Sequence, residues 1–410
     1  MITRRDFLKG GLAAVSVGLG VPSVFAKAAA AAMAENSAGS GRTLVIVQLA
    51  GGVDGLNTVI PYADSAYRDA RPALAIPQQD MLVVDDHAAF HPSLASLKKL
   101  FDAGKVAVVE GVGYPDPTFS HFKAMDIWQS ADPKGAARDG WLGRYFEGLT
   151  DLGGHPLAGL SVGSRLPSAF ESSTATIPAV ASLDTFALQQ AANDKSRSTS
   201  LIRLYDVYKP AGSAFAALLD TTLDNALESS TALKAAGAAY EPAVEYPDSS
   251  LASGLRLIAE LVDSGGEGSP LRVGHVTLGG FDTHTQQAQT LSDLLKDTSD
   301  ALDAFWRDIE AHGHGDDVLV MTWSEFGRRV QENAQDGTDH GSAGPMFLMG
   351  NGVKGGFHGG PPSLRNLDNG NLRYTVDFRS VYATLLESWL EVSPEQVLGS
   401  HFDRLDLIAG

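Results

Sequence analysis

Apolar residues along this chain follow two patterns: short unbroken runs, and longer stretches with one apolar face. Thr43-Leu-Val-Ile-Val-Gln-Leu49 is apolar at nearly every position and ends at Ala50-Gly51-Gly52. A strand that buries both of its faces needs this composition, so the run predicts a central parallel strand. Lys105-Val-Ala-Val-Val-Glu110 repeats the pattern after a helical stretch from Pro92 to Ala103. Further strands are predicted at Leu157 to Val162, Arg272 to Leu278, Val318 to Thr322 and Met346 to Met349. Leu291, Leu294, Leu295, Leu302, Phe305 and Ile309 recur at helical spacing with acids opposite, which predicts a sheet-covering helix from about Leu291 to Glu310. Strands alternating with helices predict an α/β fold with a mostly parallel central sheet flanked by helices. From about 183 to 265 the chain is Ala/Leu/Ser-rich without strand signals, and a helical insertion is expected there.

The first residues obey a different logic. Thr3-Arg4-Arg5-Asp6-Phe7-Leu8-Lys9 precedes an uncharged Gly/Ala/Val/Leu stretch from Gly10 to Gly20 and small residues up to Ala26. The apolar part is shorter than the roughly 20 residues that span a bilayer. A basic start, an apolar stretch and a small-residue exit make an export signal, and the paired arginines before Phe-Leu-Lys specify the twin-arginine route. The expected layout is a signal at 1–26, a flexible linker at 27–41 and one elaborated α/β domain at 42–410. The twin-arginine translocon is then a transient partner, and the destination is periplasmic or extracellular. Proteins on that route fold before export, often because a metal is loaded first.

Composition narrows the chemistry. The chain has 0 Cys, so any metal must be held by imidazole, carboxylate or hydroxyl groups. A formal charge of −18 disfavours nucleic acid and favours cations. No further membrane span is visible, and no haem or dinucleotide motif points to redox work.

In open α/β sheets ligands gather outside the carboxyl ends of the strands, so polar residues just after the apolar runs carry most weight. Gly51-Gly52-Val53-Asp54-Gly55 offers Asp54 to a cation, or as a turn residue. Gly280-Phe281-Asp282-Thr283-His284 sets a carboxylate and an imidazole two residues apart, as metal ligands or as a helix cap with an exposed histidine. Trp323-Ser324-Glu325-Phe326-Gly327-Arg328 places Glu325 at a strand end beside an arginine, either as a ligand with an anion clamp or as a plain ion pair. Thr338-Asp339-His340-Gly341 adds another Asp-His pair. Together these supply one or two divalent ions: zinc, calcium, magnesium or manganese. Ser120 in Phe119-Ser120-His121-Phe122 stands before a helical stretch, as nucleophile or cap, with His121 as base, ligand or packing group.

These stretches resemble a family of exported bacterial proteins, domain of unknown function 1501, over nearly the whole chain. That family in turn resembles the alkaline phosphatase and sulfatase superfamily. By that resemblance Asp54 is the first-strand metal ligand, Ser120 the nucleophile, Asp282 and His284 the ligands of one metal, Glu325 a ligand of the other and His340 the late histidine ligand. Arg328 or Arg165 would clamp an anionic substrate. A formylglycine sulfatase is excluded, because no Cys-or-Ser-x-Pro-x-Arg motif is present. The resulting expectation is an exported metal-dependent hydrolase acting on a small anionic ester or polymer, a phosphate or related ester, through a serine. The alternative is a non-catalytic binding or assembly protein on the same fold.

Overall fold

The computed structural model describes residues 41–137, 139–149, 157–172, 177–180, 240–264 and 271–409. At its centre is a nine-stranded sheet built from β1 (Thr43–Ala50), β2 (Val106–Gly113), β3 (Gly159–Val162), β4 (Ala179–Val180), β5 (Val273–Gly279), β6 (Val318–Trp323), β7 (Gly344–Met349), β8 (Gly356–His358) and β9 (Val376–Asp377). Across the sheet the order is β8-β2-β7-β6-β1-β5-β3-β4, with β9 also paired to β2. Every pairing is parallel except those of β7, which runs antiparallel to β2 and β6. The expected fold class is the observed one.

The unbroken apolar runs are explained by two buried faces. Val45, Val47, Leu49, Val106, Val108, Val318 and Val320 join one core, and the alternating Leu44, Ile46, Ala107, Val109, Leu319 and Met321 join another. Covering helices include α1 (Ala95–Asp102), α2 (His121–Ser130), α3 (Ser250–Ser264), α4 (Gln287–Ala311) and α5 (Phe378–Ser388). The first core packs on α1, α3 and α4, the second on α2 and α5. On that second face the Trp128 ring stacks at 5.3 Å from Trp323 and 4.4 Å from Phe378. A period of two in the strands thus feeds both helix layers.

The predicted strands all lie in this sheet, and the predicted helix at 291–310 is the greater part of α4. The stretch from Pro92 to Ala103 divides into a 3₁₀ turn at Pro92–Leu94 and α1, with the proline in the first turn, where its missing N–H costs nothing. Strands β4, β8 and β9 have only two or three residues, too few to show a period. The export signal and almost all of the linker lie outside the described residues, as does most of the helical insertion. The part of that insertion that is described ends in α3. Among the described residues no helix is long and apolar enough to cross a membrane.

Strand direction decides where chemistry can collect. Because β1, β5 and β6 are parallel neighbours, their carboxyl ends finish along one edge, and antiparallel β7 sets out from that same edge. Segments that are remote in sequence are therefore gathered there.

Candidate metal centre

The loop leaving β1 is built to be pressed by its neighbours. Gly51 and Gly52 have φ of +126° and +79°, a region that favours glycine. A Cβ on Gly51 would lie 2.4 Å from the Asp282 backbone nitrogen, and one on Gly52 would lie 2.4 Å from the Phe326 ring. So the glycines admit other loops of the protein. Gly51 N–H donates to both carboxylate oxygens of Glu325, at 2.9 and 3.1 Å. Arg328, 1% exposed, laces the edge together. Its Nε donates to Gly52 O at 2.7 Å, its Nη1 to Thr338 O at 2.9 Å, and its Nη2 to Gly51 O, to Phe281 O at 3.0 Å and to Asp282 Oδ1 at 2.7 Å.

Three histidines and one aspartate meet above this lacing. His284 Nε2 and His340 Nε2 are 2.9 Å apart, and each is 3.1 Å from Asp282 Oδ1. His121 Nε2 lies 3.4 Å from Asp282 Oδ2, is buried and makes no hydrogen bond. The imidazole rings crowd together, His121 edge to face with His340 at a centroid distance of 4.5 Å and His284 tilted against His340 at 4.6 Å, and Phe326 backs two of them. Asp282 feels opposing influences. Burial works to raise its pKa, but the hydrogen bond and positive charge of Arg328 outweigh it and hold the carboxyl at about 2.

The other ring nitrogens reveal what the facing ones are for. His340 Nδ1 lies 2.8 Å from Phe119 O, and a carbonyl only accepts, so this nitrogen carries the proton. His121 Nδ1 meets Glu325 Oε1 at 2.7 Å, and His284 Nδ1 stands 3.4 Å from Asp339 Oδ1. With Nδ1 of His121 and His340 turned to acceptors, the Nε2 atoms of His284 and His340 face each other and Asp282 Oδ1, while that of His121 faces Asp282 Oδ2. Acceptor against acceptor repels unless a cation lies between them. Tetrahedral bonds of about 2.0–2.1 Å put donor atoms roughly 3.3 Å apart, close to the 2.9–3.4 Å spacings here. The buried, partnerless Nε2 of His121 is the direct sign that the residues fit a metal. A donor from His121, Asp282 and His340 in each case lies within 4.8 Å of the other two.

The structure brings His121, Asp282, His284, Glu325, Asp339 and His340 to one place, but in two shells. Glu325 is hydrogen-bonded to His121 Nδ1 and orients that ring, an arrangement common around metal-binding histidines, while Asp339 stands near His284 Nδ1 at 3.4 Å. Asp54 is not brought there. It is fully buried and caps the one-turn helix Gly55–Thr58 through Leu56 N. Its Oδ2 takes Arg71 Nη1 at 2.5 Å and Gln287 Nε2, so it has no oxygen turned to the cluster. Arg328 is likewise no free clamp, since all three of its nitrogens are committed to the loops it ties. Arg165 is exposed beyond β3, with no hydrogen bond or ion pair to the cluster among the described residues. Ser120 stands exposed at the N-cap of α2, directly before His121, and its hydroxyl makes no capping bond. Arg71, which no motif in the sequence marks, stands out only by its complete burial.

Among solved structures the chain is similar to the lipoteichoic acid synthase LtaP from Listeria monocytogenes, at 10% identity and a TM-score of 0.37 over 87% of this chain and 74% of that one. A protein in the alkaline phosphatase superfamily from Vibrio parahaemolyticus gives 9% and 0.40 over 95% and 82%, and the PsFucS1 sulfatase from Pseudoalteromonas sp. gives 11% and 0.39 over 96% and 77%. TM-scores of this size are too low to transfer a site or an activity. No curated protein matches by sequence. The sequence model for the family described as "Protein of unknown function (DUF1501)" matches residues 90–405, and the chain belongs to that family.

Proposed function

We propose that the chain is an exported metal-dependent hydrolase acting on phosphate or related esters, with His121, Asp282, His284 and His340 as the metal ligands. The observation that carries this reading is the convergence of three imidazole Nε2 atoms, with Nδ1 of His121 and His340 turned to acceptors, on one carboxylate. A nitrogen-rich set of this kind suits zinc or a similar borderline ion better than calcium or magnesium. Such an ion supplies Lewis acidity, polarising an ester oxygen and making a nearby hydroxyl or water more acidic.

The chain's own groups do the rest. Glu325 holds the His121 ring in its orientation toward Asp282. Arg328 fixes Asp282 and the loops around it without contacting substrate. Ser120 leads α2, whose uncapped first-turn N–H groups favour an anion, so its hydroxyl is the candidate nucleophile. Phe119 and Phe122, 43% and 89% exposed, give the organic part of an ester an apolar surface beside it. Since Arg328 is consumed by structure, the phosphate itself must be met by the cation and the amides of α2.

The test is metal content by mass spectrometry with aryl phosphate turnover. The expected result is metal bound tightly in the wild type, one equivalent fewer in His284→Ala, and full metal but no turnover in Ser120→Ala. A metal-free wild type, or unchanged turnover in both variants, refutes the reading. Bound metal with no turnover of any ester would instead favour a non-catalytic binding protein. Export rests on Arg4-Arg5; replacing both with lysine should retain the chain in the cytoplasm, and undiminished export would remove that part of the proposal.

A further inference from the structure

A second group of donor atoms lies apart from the first and shares no residue with it. The turn between the short strands Leu82–Val83 and Ala89–Phe90 carries Asp85, Asp86 and His87, which each offer one donor atom within 4.8 Å of the others. Asp85 shapes this turn. Its Oδ1 accepts from His87 N at 3.0 Å and Ala88 N at 2.9 Å, and it lies 2.9 Å from His87 Nδ1. A carboxylate beside Nδ1 favours the tautomer with the proton there and the lone pair on Nε2, and the Phe357 ring packs against the imidazole at 5.1 Å.

The lone pair points at an anomaly in the sheet. Glu110 interrupts the apolar run of β2 and is only 5% exposed. Its Oε2 is buried and has no hydrogen-bond partner, and neither has His87 Nε2. The two atoms face each other across 3.9 Å. That gap is too long for a hydrogen bond. An ion bound at roughly 2.0–2.2 Å to both atoms would fit this gap with an angle wider than tetrahedral. Among the described residues no lysine or arginine pairs with Asp85, Asp86 or Glu110, so three carboxylates share one imidazole and no other countercharge. A buried carboxylate in that position is costly unless something positive meets it.

We propose that His87 Nε2 and Glu110 Oε2 bind a second divalent cation of the zinc or manganese class, with Asp85 orienting the imidazole and Asp86 adding negative charge on the open side. The site is independent of the three-histidine centre, and it does not depend on the chain being a hydrolase. One carboxylate and one imidazole leave most coordination positions to water, so this ion is held more weakly and exchanges more readily than one in the first centre.

Calorimetric titration of the full chain with zinc chloride alone tests this, using wild type, His87→Gln, Glu110→Gln and His284→Ala. Glu110→Gln keeps the side-chain shape and removes a buried charge, so its fold should persist, which circular dichroism checks. The expected result is a weaker second equivalent in the wild type that is lost in both His87→Gln and Glu110→Gln and retained in His284→Ala. The proposal is overturned if His87→Gln and Glu110→Gln bind as many equivalents as the wild type. Failure of the first centre would appear separately, as no difference between wild type and His284→Ala.

Discussion

Two polar networks lie side by side at the carboxyl edge of the sheet, and they are solved in opposite ways. In the lower one Arg71 is fully buried and donates through Nε to Val330 O, through Nη2 to Arg329 O, and through Nη1 to Asp54 and Asn57. Gln287 completes it by donating to Asp54 while accepting from Thr338 Oγ1 at 2.6 Å and Thr283 Oγ1 at 3.1 Å. Charge meets opposite charge and every donor has an acceptor. In the upper network lone pairs converge on a carboxylate, and the buried His121 Nε2 has no hydrogen bond. A closed network holds loops in place, whereas one left open toward a common centre is a place for a ligand. Both contain an aspartate at a strand exit, so residue type alone does not separate them.

The comparison breaks most decisively at Arg71. Arg71→Met leaves the Asp54 carboxylate buried and unpaired, which should cost about 3–5 kcal/mol of stability. Urea unfolding should show that loss, and the chain that remains folded should keep its metal stoichiometry. An unchanged unfolding midpoint would mean that the lower network does not hold the edge together. At Glu325 the expected balance is reversed. Glu325→Gln should weaken metal binding by roughly 10–100-fold, as loss of an orienting partner does, with a smaller effect on unfolding. Chelator competition measures it, and wild-type affinity would remove Glu325 from that role.

His275 sharpens the comparison through an imidazole that shares only its type with the cluster. It is fully buried on β5 with Ser161 Oγ at 3.4 Å and Phe170 at 5.9 Å, and among the described residues its Nε2 has no hydrogen-bond partner. Burial lowers its pKa from the ordinary 6.5 to about 4. The unfolded chain therefore takes up a proton between pH 6.5 and 4 that the folded chain refuses. Its contribution is fully present above pH 6.5 and declines as the pH falls through that window. The urea midpoint should drop between pH 7 and pH 5, and by less in His275→Leu. Equal drops in both chains would show that His275 does not contribute.

Much of this was legible in the order of residues. Unbroken apolar runs pointed to central strands, and they marked where Asp282 and Glu325 would emerge and which strand His340 would lead into. What could not be read was the division of labour among them. Glu325 and Asp282 both follow apolar strands, yet one orients an imidazole while the other faces the lone pairs. That difference arises from Gly51 N–H, which claims Glu325, and from Arg328, which claims one oxygen of Asp282. Glu110 carried a signal that went unused: an acid inside an otherwise apolar strand has to be met by something.

By itself, the sequence determined the six longer strands of the sheet, much of their helical cover, the cysteine-free donor set and the strand exits that carry it, because periodicity and composition are local. Only the tertiary structure decided which acids are neutralised and which lone pairs are left facing one another. Those outcomes depend on contacts such as Arg71 with Asp54, 17 positions away, and His121 with Glu325, 204 positions away. No local pattern encodes such distances; parallel strand direction does, by delivering separate loops to one edge.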